Sequence, residues 1–334
     1  MSEIEDRIRE IARELLEEGD VKYFIGYTKG SDGFRAKPIV IDDPKDVDKL
    51  IWSPTCVNNL AVYLVDEMKK KPKKGEELDT RPVGIVAKAC DARAITVLLQ
   101  ENILPRERVF IIGIPCKGMV DPEKLEKLAR KKGIPHEAIY NLDIKEEKMM
   151  FKGEAEGVKE AFPREEVLAD KCKECFHHNP RKYDMIIGKR VENPPVDKYA
   201  GIRELEKMSL EDREKYWEEK FDRCIRCNAC KEVCPLCYCE ECIVEKAKPM
   251  RWCSKSTDKS SNEFYHLIRA MHLAGRCIDC GECERVCPMA IPLRKLYKKL
   301  EKEIQKMYSY EAGLNSEDVP LFATFTVDDP DEFE

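Results

Sequence analysis

The 334-residue chain carries 59 Lys and Arg against 65 Asp and Glu, a formal net charge of -6 at pH 7. This balance gives no bulk attraction to nucleic acid, so no nucleic-acid partner is expected. With 43% hydrophobic residues the chain can bury the cores of two domains, so the chain is not a disordered protein. The charged fraction of 37%, rich in Glu and Lys, is a surface composition that hyperthermophile proteins favour and indicates a thermophile.

The N-terminal segment, residues 1–20, carries Ile4, Ile8, Ile11 and Leu15 at helical spacing among charged residues. It predicts an amphipathic helix rather than a secretory signal. No apolar run approaches the length of a membrane span, so none is predicted. We therefore expect a cytoplasmic protein, where a reducing environment keeps thiols unpaired. The seventeen cysteines then favour metal ligation over disulfides.

Short apolar segments and helical segments alternate through the first half of the chain. Strands are predicted at 21–27, 37–41, 83–86 and 109–114, helices at 92–100 and 122–132, a hairpin within 139–151 and a further strand at 183–187. Strands that alternate with helices indicate a parallel α/β sheet. Loops leaving the carboxyl ends of such strands are where open α/β sheets bind ligands.

The strongest signal is a cysteine motif that occurs twice near the C-terminus. Both copies follow the pattern Cys-x2-Cys-x2-Cys-x3-Cys-Pro of bacterial two-cluster ferredoxins, in which the fourth cysteine binds the other cluster. The predicted ligand sets therefore cross. One [4Fe-4S] cluster is assigned to Cys224, Cys227, Cys230 and Cys287, and the second to Cys277, Cys280, Cys283 and Cys234. The alternative is zinc, although structural zinc usually takes paired Cys-x2-Cys elements rather than runs of four.

The insert between the two motifs has a cysteine spacing that matches no known cluster. Its thiols are interpreted as buried groups lining the ferredoxin core, with an extra metal site as the alternative. A helix is predicted from Asn262 to Ala274, packing beside the clusters through Phe264, Leu267, Ile268 and Met271. His266 and His272 are interpreted as ordinary residues on the faces of that helix. The insert cysteines are Cys237, Cys239, Cys242 and Cys253.

A second group of four cysteines lies in the N-terminal half. Cys90 and Cys116 follow strands that would be neighbours in a parallel sheet, and a Cys-x2-Cys pair at Cys172 and Cys175 comes later. Each cysteine is predicted to lie in a loop, which allows a third [4Fe-4S] cluster at one end of the sheet. The alternative is four unrelated thiols. Cys56 is predicted to be a buried thiol.

These residues resemble a known family. The strand that ends Ile-Ile-Gly-Ile-Pro-Cys116, and Lys-Cys172-Lys-Glu-Cys175 followed by Tyr-Asp-Met-Ile-Ile-Gly188, resemble β-subunits of deazaflavin-reducing hydrogenases and formate dehydrogenases. Ala-Cys90-Asp together with the run Cys234-Pro-x-Cys-x-Cys239 is also similar to β-subunits of cytoplasmic sulfhydrogenases and anaerobic sulfite reductases. The resemblance implies metal-binding thiols in the N-terminal domain and hence the third cluster.

The resemblance also implies a flavin, which the sequence does not support independently. Lys117 stands where the deazaflavin-type subunits usually carry Gln, and no Gly-x-Gly-x-x-Gly phosphate loop is present. FAD therefore stays an open alternative.

The expected fold is an α/β N-terminal domain with a largely parallel sheet, followed by a mainly α-helical domain that contains a two-[4Fe-4S] ferredoxin-like module. Pro194-Pro195 and a strongly charged stretch mark a linker between them. The predicted boundaries are 1–190 for the α/β domain, 191–220 for the charged linker and helix, 221–312 for the ferredoxin-like domain with its insert, and 313–334 for an acidic tail.

Two functions are consistent with these patterns. The first is a non-catalytic iron-sulfur relay subunit of an anaerobic cytoplasmic oxidoreductase. It would pass electrons between a flavin or nicotinamide subunit and a hydrogenase, formate dehydrogenase or heterodisulfide-reductase-type subunit. The alternative is a flavin-binding catalytic β-subunit that reduces a deazaflavin, a nicotinamide or a sulfur compound. Cations near the motifs are candidates for raising cluster potentials: Arg226, Lys231, Arg276 and Arg285.

Overall fold

The chain folds into two compact units. The computed structural model describes residues 3–70, 78–147, 150–193, 195–246 and 253–321. The first unit contains the described residues up to Ala92 together with Leu104–Lys198. The second combines Arg93–Ile103 with the described residues from Tyr199 onward.

A five-stranded sheet forms the centre of the first unit. Its order is β2-β1-β3-β4-β8, and every neighbouring pair is parallel except β1 with β2. The predicted N-terminal α/β domain with a largely parallel sheet is thereby confirmed. The strands are β1 (Tyr23–Lys29), β2 (Ala36–Ile41), β3 (Val83–Ala87), β4 (Val109–Gly113) and β8 (Met185–Ile186).

Burial explains why β3 and β4 occupy the middle of this sheet. All five residues of β3 are buried, as are four of the five in β4, which suits strands covered on both faces. Their register pairs Ala87 with Gly113, so both strands end at the same edge. The chain segments that follow them therefore begin side by side.

A separate three-stranded antiparallel sheet also belongs to the first unit. Its order is β5-β6-β7, so the predicted hairpin is present but is extended by a third strand. The hairpin begins later than expected, because Ile139 lies in a short helix and packs in a buried apolar cluster. The strands are β5 (Asp143–Glu147), β6 (Met150–Ala155) and β7 (Val158–Pro163).

Helices cover the strands of the first unit. The amphipathic helix predicted at the N-terminus is α1, which buries Ile8, Ile11 and Leu15. The helices are α1 (Glu3–Glu17), α2 (Val62–Met68), α3 (Ala89–Gln100), α4 (Pro122–Lys131), α5 (His136–Tyr140), α6 (Arg164–Val167) and α7 (Asp170–Lys173), of which α3 continues into the second unit. Two 3-10 turns lie at Pro44–Lys49 and Arg106–Arg108.

The described residues of the second unit are helical and contain no strand. Two four-residue helices, α10 and α12, lie at equivalent positions of the two cysteine motifs, and each contains the third cysteine of its motif. No helix in the part of the chain that the structure describes is long and apolar enough to span a membrane. The helices are α8 (Ala200–Lys207), α9 (Leu210–Asp222), α10 (Ala229–Glu232), α11 (Lys259–His272), α12 (Glu282–Arg285) and α13 (Leu293–Tyr308).

The helix of the insert, α11, faces opposite to the prediction. Phe264, Leu267 and Met271 are 44%, 50% and 59% exposed, so the expected packing of this apolar stripe beside the cysteines is wrong. The buried side instead carries polar residues, each at most 4% exposed, namely Asn262, Tyr265, His266 and Arg269. A helix with a buried polar face needs partners for that face, because burying unpaired polar groups is costly.

Candidate metal centres

The two cysteine motifs fold alike. Arg226 and Asn228 have φ of 52° and 61°, and the equivalent Asp279 and Gly281 have φ of 57° and 68°. Residues with left-handed backbone thus lie at matching positions between the cysteines of each motif, where the chain changes direction. The first sulfur of the first motif, Cys224 Sγ, accepts the N–H of Arg226 at 3.5 Å. The repeat predicted from spacing is therefore also a repeat of backbone conformation.

The first cavity is lined by the four cysteines assigned to one cluster. Its volume is about 340 Å³. Cys287, from the second motif, reaches this cavity beside three cysteines of the first motif, as the crossed assignment requires. The lining cysteines are Cys224, Cys227, Cys230 and Cys287.

The second cavity is lined by the other assigned set. It encloses about 400 Å³, and Cys234 of the first motif lies in it with three cysteines of the second. Each motif thus lends its fourth cysteine to the other cavity. The lining cysteines are Cys234, Cys277, Cys280 and Cys283. The ligand roles of all eight remain predictions, but the structure brings together the sets that the spacing predicted.

The second cavity also contains a buried polar atom that lacks a hydrogen-bond partner among the described residues, Arg269 Nε. Four thiols together with this unpaired N–H donor suit a [4Fe-4S] core, whose sulfurs accept hydrogen bonds. Within the described ranges, no three His, Cys, Asp or Glu side chains are arranged to hold a single metal ion.

The protonation of the cavity thiols depends on burial. Burial raises the pKa of Cys230 and raises that of Cys277 to about 12, where the nearby Asp279 carboxylate adds to the effect. A bound metal would have to displace these protons, since cysteine ligates as the thiolate. Iron binding at both cavities is therefore expected to release protons.

His266 has a more specific place than the sequence suggested. Its Nε2 lies 3.3 Å from Cys224 Sγ, and its ring stacks on Phe221 at 4.9 Å between centroids. Burial lowers the pKa of His266 to about 3, so the ring is neutral at physiological pH. His272, by contrast, is exposed, as an ordinary helix-face residue would be. The sequence did carry a signal for His266: the predicted helix has one apolar face and one polar face, and His266 lies on the polar one.

The insert cysteines differ from one another in their surroundings. Cys253 is buried, and Arg226 Nη2 donates to its sulfur at 3.3 Å. A hydrogen bond from Cys234 lowers the pKa of Cys237 to about 6, so Cys237 directly contacts a predicted ligand. Cys239 is exposed and Cys242 is half-buried. The interpretation as buried thiols therefore holds for Cys253 and is wrong for Cys239.

The predicted potential-raising cations are mostly neutralised by carboxylates. Arg276 pairs with Glu101 at 2.7 Å, Arg285 with Glu282 at 2.7 Å, and Lys231 with Glu232 at 2.9 Å. Only Arg226 among the four candidates lines a described cavity.

The four N-terminal cysteines lie at the carboxyl edge of the parallel sheet. Cys90 follows β3 and Cys116 follows β4, which are hydrogen-bonded neighbours as predicted. Burial, to which the charges of Cys172 and Cys175 add, raises the pKa of Cys116 to about 12, so these thiols are close enough to interact. Burial likewise raises the pKa of Cys90, and the charges of Asp91 and Cys116 add to the effect. A shared metal site at this edge remains a prediction.

The prediction that each of these cysteines lies in a loop is wrong for two of them. Cys90 belongs to the first turn of α3, and Cys172 to the short helix α7. α3 begins at Ala89, directly after β3, and the Asp91 carboxylate in its first turn suits the positive end of the helix dipole. The Asp91 carboxylate then accepts the N–H of Lys88 at 2.8 Å.

The segments that carry Cys116 and Cys172 approach each other closely at Gly118. A Cβ at Gly118 would lie 2.9 Å from Leu168 Cδ1 and 3.2 Å from Cys172 Cβ, and its φ of 119° also disfavours other residues. Backbone N–H groups point at the sulfurs, with Gly118 donating to Cys116 at 3.3 Å and Met119 to Cys172 at 3.4 Å. Such bonds stabilise negative charge on sulfur.

A buried ion pair adjoins this edge. Lys88 is 1% exposed, and its Nζ lies 2.9 Å from Asp91 Oδ2 and 2.8 Å from the carbonyl oxygen of Asn58. Burial alone would lower the pKa of Lys88, but the charges of Asp91 and Cys90 outweigh it and raise that pKa. Sequence reasoning gave Lys88 no role, although a charged residue directly after a buried strand was a visible signal.

Comparisons with known proteins relate both cysteine regions to redox subunits. Residues 80–203 match a family described as the C terminus of the beta subunit of coenzyme F420 hydrogenase/dehydrogenase, and residues 223–292 match the 4Fe-4S dicluster domain. The β-subunit of the F420-dependent formate dehydrogenase of Methanocaldococcus jannaschii is 25% identical over 92% of this chain and 91% of its own length. The chain resembles these β-subunits over nearly its whole length.

This β-subunit-like chain has further relatives. The β-subunit of F420-dependent formate dehydrogenase 1 from Methanococcus maripaludis is 23% identical over 92% of the chain and 90% of its own length. A chain in a structure of the F420-reducing [NiFe] hydrogenase complex from Methanosarcina barkeri is 18% identical, with a TM-score of 0.40 over 51% of this chain and 58% of that one. The predicted resemblance to deazaflavin-type β-subunits is confirmed by the sequence relatives.

A stability prediction follows from the buried ion pair of this β-subunit-like chain. Replacing Asp91 with alanine leaves the Lys88 ammonium buried and removes the acceptor of the Leu60 N–H, bonded at 2.9 Å. We expect a loss of about 3–5 kcal/mol in the free energy of unfolding, the usual cost of an uncompensated buried charge. Urea unfolding of the anaerobic protein measures it. The double variant D91A/K88M should recover part of the loss, and a single variant with an unchanged midpoint would contradict the prediction.

Proposed function

We propose that the chain is the iron-sulfur electron-transfer subunit of a multisubunit oxidoreductase and has no substrate of its own. The observation that carries the proposal is the pair of cavities, each lined by four cysteines with the fourth taken from the other motif. Two adjacent cysteine sets of ferredoxin spacing are suited to passing single electrons from one cluster to the next when the clusters are bound.

The proposed cofactors are two [4Fe-4S] clusters in the second unit and a third at the carboxyl edge of the sheet. The first two would be held by the crossed sets lining the cavities. The third would be held by Cys90, Cys116, Cys172 and Cys175, which are supported by their shared edge and by the N–H groups directed at two of the sulfurs. The residues that hold these groups also decide their potentials, through burial, charge and hydrogen bonds to sulfur.

The proposed partners are a flavin or nicotinamide subunit and a catalytic hydrogenase, formate dehydrogenase or heterodisulfide-reductase-type subunit. The names of the relatives support a place in an F420-dependent complex of this kind. None of the seventeen cysteines is joined in a disulfide, which supports the cytoplasmic location proposed here. The proposal includes the predicted domain boundaries, which fall after residues 190, 220 and 312.

A second candidate function is catalysis by a bound flavin in the α/β unit. It is favoured by the match of residues 80–203 to an F420 hydrogenase/dehydrogenase family. In that case the first unit would hold FAD at the carboxyl edge of its sheet, where such folds bind ligands, and the clusters would exchange electrons with it.

Metal and flavin stoichiometry of the anaerobically purified chain separates these functions. The relay predicts about eight iron with an equal amount of sulfide for two clusters, or about twelve for three, by the composition of a [4Fe-4S] site. Stoichiometric flavin would favour the catalytic alternative. Zinc without iron or visible colour would contradict both.

A further inference from the structure

The buried face of α11 adds a charged residue to the region of the two cavities. Arg269 is 4% exposed, although an arginine is almost never this buried without a paired carboxylate. Its hydrogen-bond partners among the described residues are a phenol, a carbonyl and the Cys237 sulfur, and no carboxylate is among them. The structure must stabilise this guanidinium in another way.

The contacts of Arg269 reach both cysteine sets. Nη2 donates to the Cys230 carbonyl at 2.6 Å, and Cys230 lines the first cavity. Arg269 itself lines the second cavity, and Nη2 also lies 3.6 Å from Cys237 Sγ, which contacts Cys234. Tyr297 fixes the other nitrogen, since Nη1 donates to its hydroxyl at 2.6 Å. The third nitrogen, Nε, has no partner among the described residues.

We propose that Arg269 is a positioning residue shared by the two predicted clusters, and that its buried charge raises the reduction potentials of both. This inference rests on the proposed function. Reduction adds one electron to a cluster and breaks no bond, so it adds one negative charge to a cavity. A nearby cation stabilises that charge strongly where water is excluded.

The reach of the charge follows from the contacts of Arg269. Its guanidinium donates to the carbonyl of Cys230, a member of the first set, and its side chain forms part of the wall of the second cavity. The free Nε suits a hydrogen bond to a cluster sulfur in the second cavity, so the effect should be larger there.

Other charges near the cavities are either paired or exposed. Asp279 at the second cavity is held by Arg294 at 2.6 Å and by Lys298 at 2.9 Å. Glu282 pairs with Arg285. At the first cavity Arg226 is partly exposed, so water screens its charge more than that of Arg269.

The test is a redox titration of the anaerobic full chain, with cluster reduction followed by electron paramagnetic resonance. R269Q removes the charge, R269K keeps it, and K259Q is the control, because Lys259 is a partly exposed cation at the start of the same helix, paired with Glu218. We expect R269Q to lower the ratio of reduced to oxidised cluster about tenfold at fixed potential, which is about 59 mV for one electron. R269K and K259Q should stay near the wild type.

Iron analysis comes first and separates this inference from the proposed function. A wild-type chain without iron would remove the proposed function, whereas wild-type iron with R269Q potentials equal to those of the wild type would overturn the inference alone. If R269Q does not retain iron, R269K decides. Wild-type potentials in R269K support a role for the charge, and an R269K variant that keeps its iron but titrates about tenfold lower overturns it.

Discussion

Replacing Cys280 with alanine is expected to remove about four iron per chain and one paramagnetic signal, because a [4Fe-4S] site loses a quarter of its ligands. Cys280 lines the second cavity only, so the first set keeps all four thiols. Electron transfer through the assembled complex should stop, since a relay with a missing site has no alternative path of similar length. Iron content, resonance spectra and turnover of the complex measure these effects.

The control for this variant is Cys239→Ala. Cys239 is an exposed cysteine of the insert that lines neither cavity, so its removal should leave iron content and both signals unchanged. The crossing of ligands can be tested in the same series. The signal lost in Cys287→Ala should be the one lost in Cys227→Ala, and loss of the Cys280 signal instead would refute the crossed assignment.

Replacing Cys116 with alanine is expected to reduce the iron content from about twelve to about eight per chain and to leave both ferredoxin-type signals intact. The reason is the position of Cys116 just after β4, where burial together with the nearby charges of Cys172 and Cys175 raises its pKa. Removing one thiol leaves three of the four predicted ligands. Iron and sulfide analysis with spectroscopy of the reduced protein tests this.

Cys56→Ala is the matched control for the Cys116 variant. Cys56 is a buried cysteine of the first unit, and burial raises its pKa to about 11, but its sulfur accepts the Ser53 N–H at 3.3 Å and has no predicted metal role. A general disturbance of the fold would affect both variants. If the two lose equal amounts of iron, or if neither does, the third cluster is not held by Cys116.

The sequence predicted the parallel sheet well because its strands are short, apolar and separated by helical segments. β3 and β4 are buried along nearly their whole length, so their composition alone identifies them. The ends of helices are less predictable from composition. The sequence predicts helix only from Ala92 and therefore places Cys90 in a loop, whereas α3 begins at Ala89. Terminal turns are decided by local hydrogen bonds, such as that of Asp91, which composition does not reveal.

The cysteine sets were predictable for a different reason. Ligand spacing is a local property, so the crossed assignment could be written before any tertiary contact was known. The insert helix was not predictable in the same way. Its apolar and polar stripes are both strong, and only tertiary structure decides that Arg269 and His266 face inward while Leu267 faces solvent. Lys88 was missed because a buried lysine is rare and its partners Asn58 and Asp91 converge only after folding.

The place of Cys287 in the first cavity also bears on how the second unit is made. Each predicted site unites residues from both sides of the insert, so neither can be completed before the ribosome has passed the second motif. Loop-closure entropy grows only slowly with length, so a long insert adds little to the cost of joining the motifs. Metal loading would then close the chain around α11, and the free energy of metal binding would become part of the folding free energy of this helix. Maturation and folding would be one late event, and a chelator that strips the iron should release the helix as well.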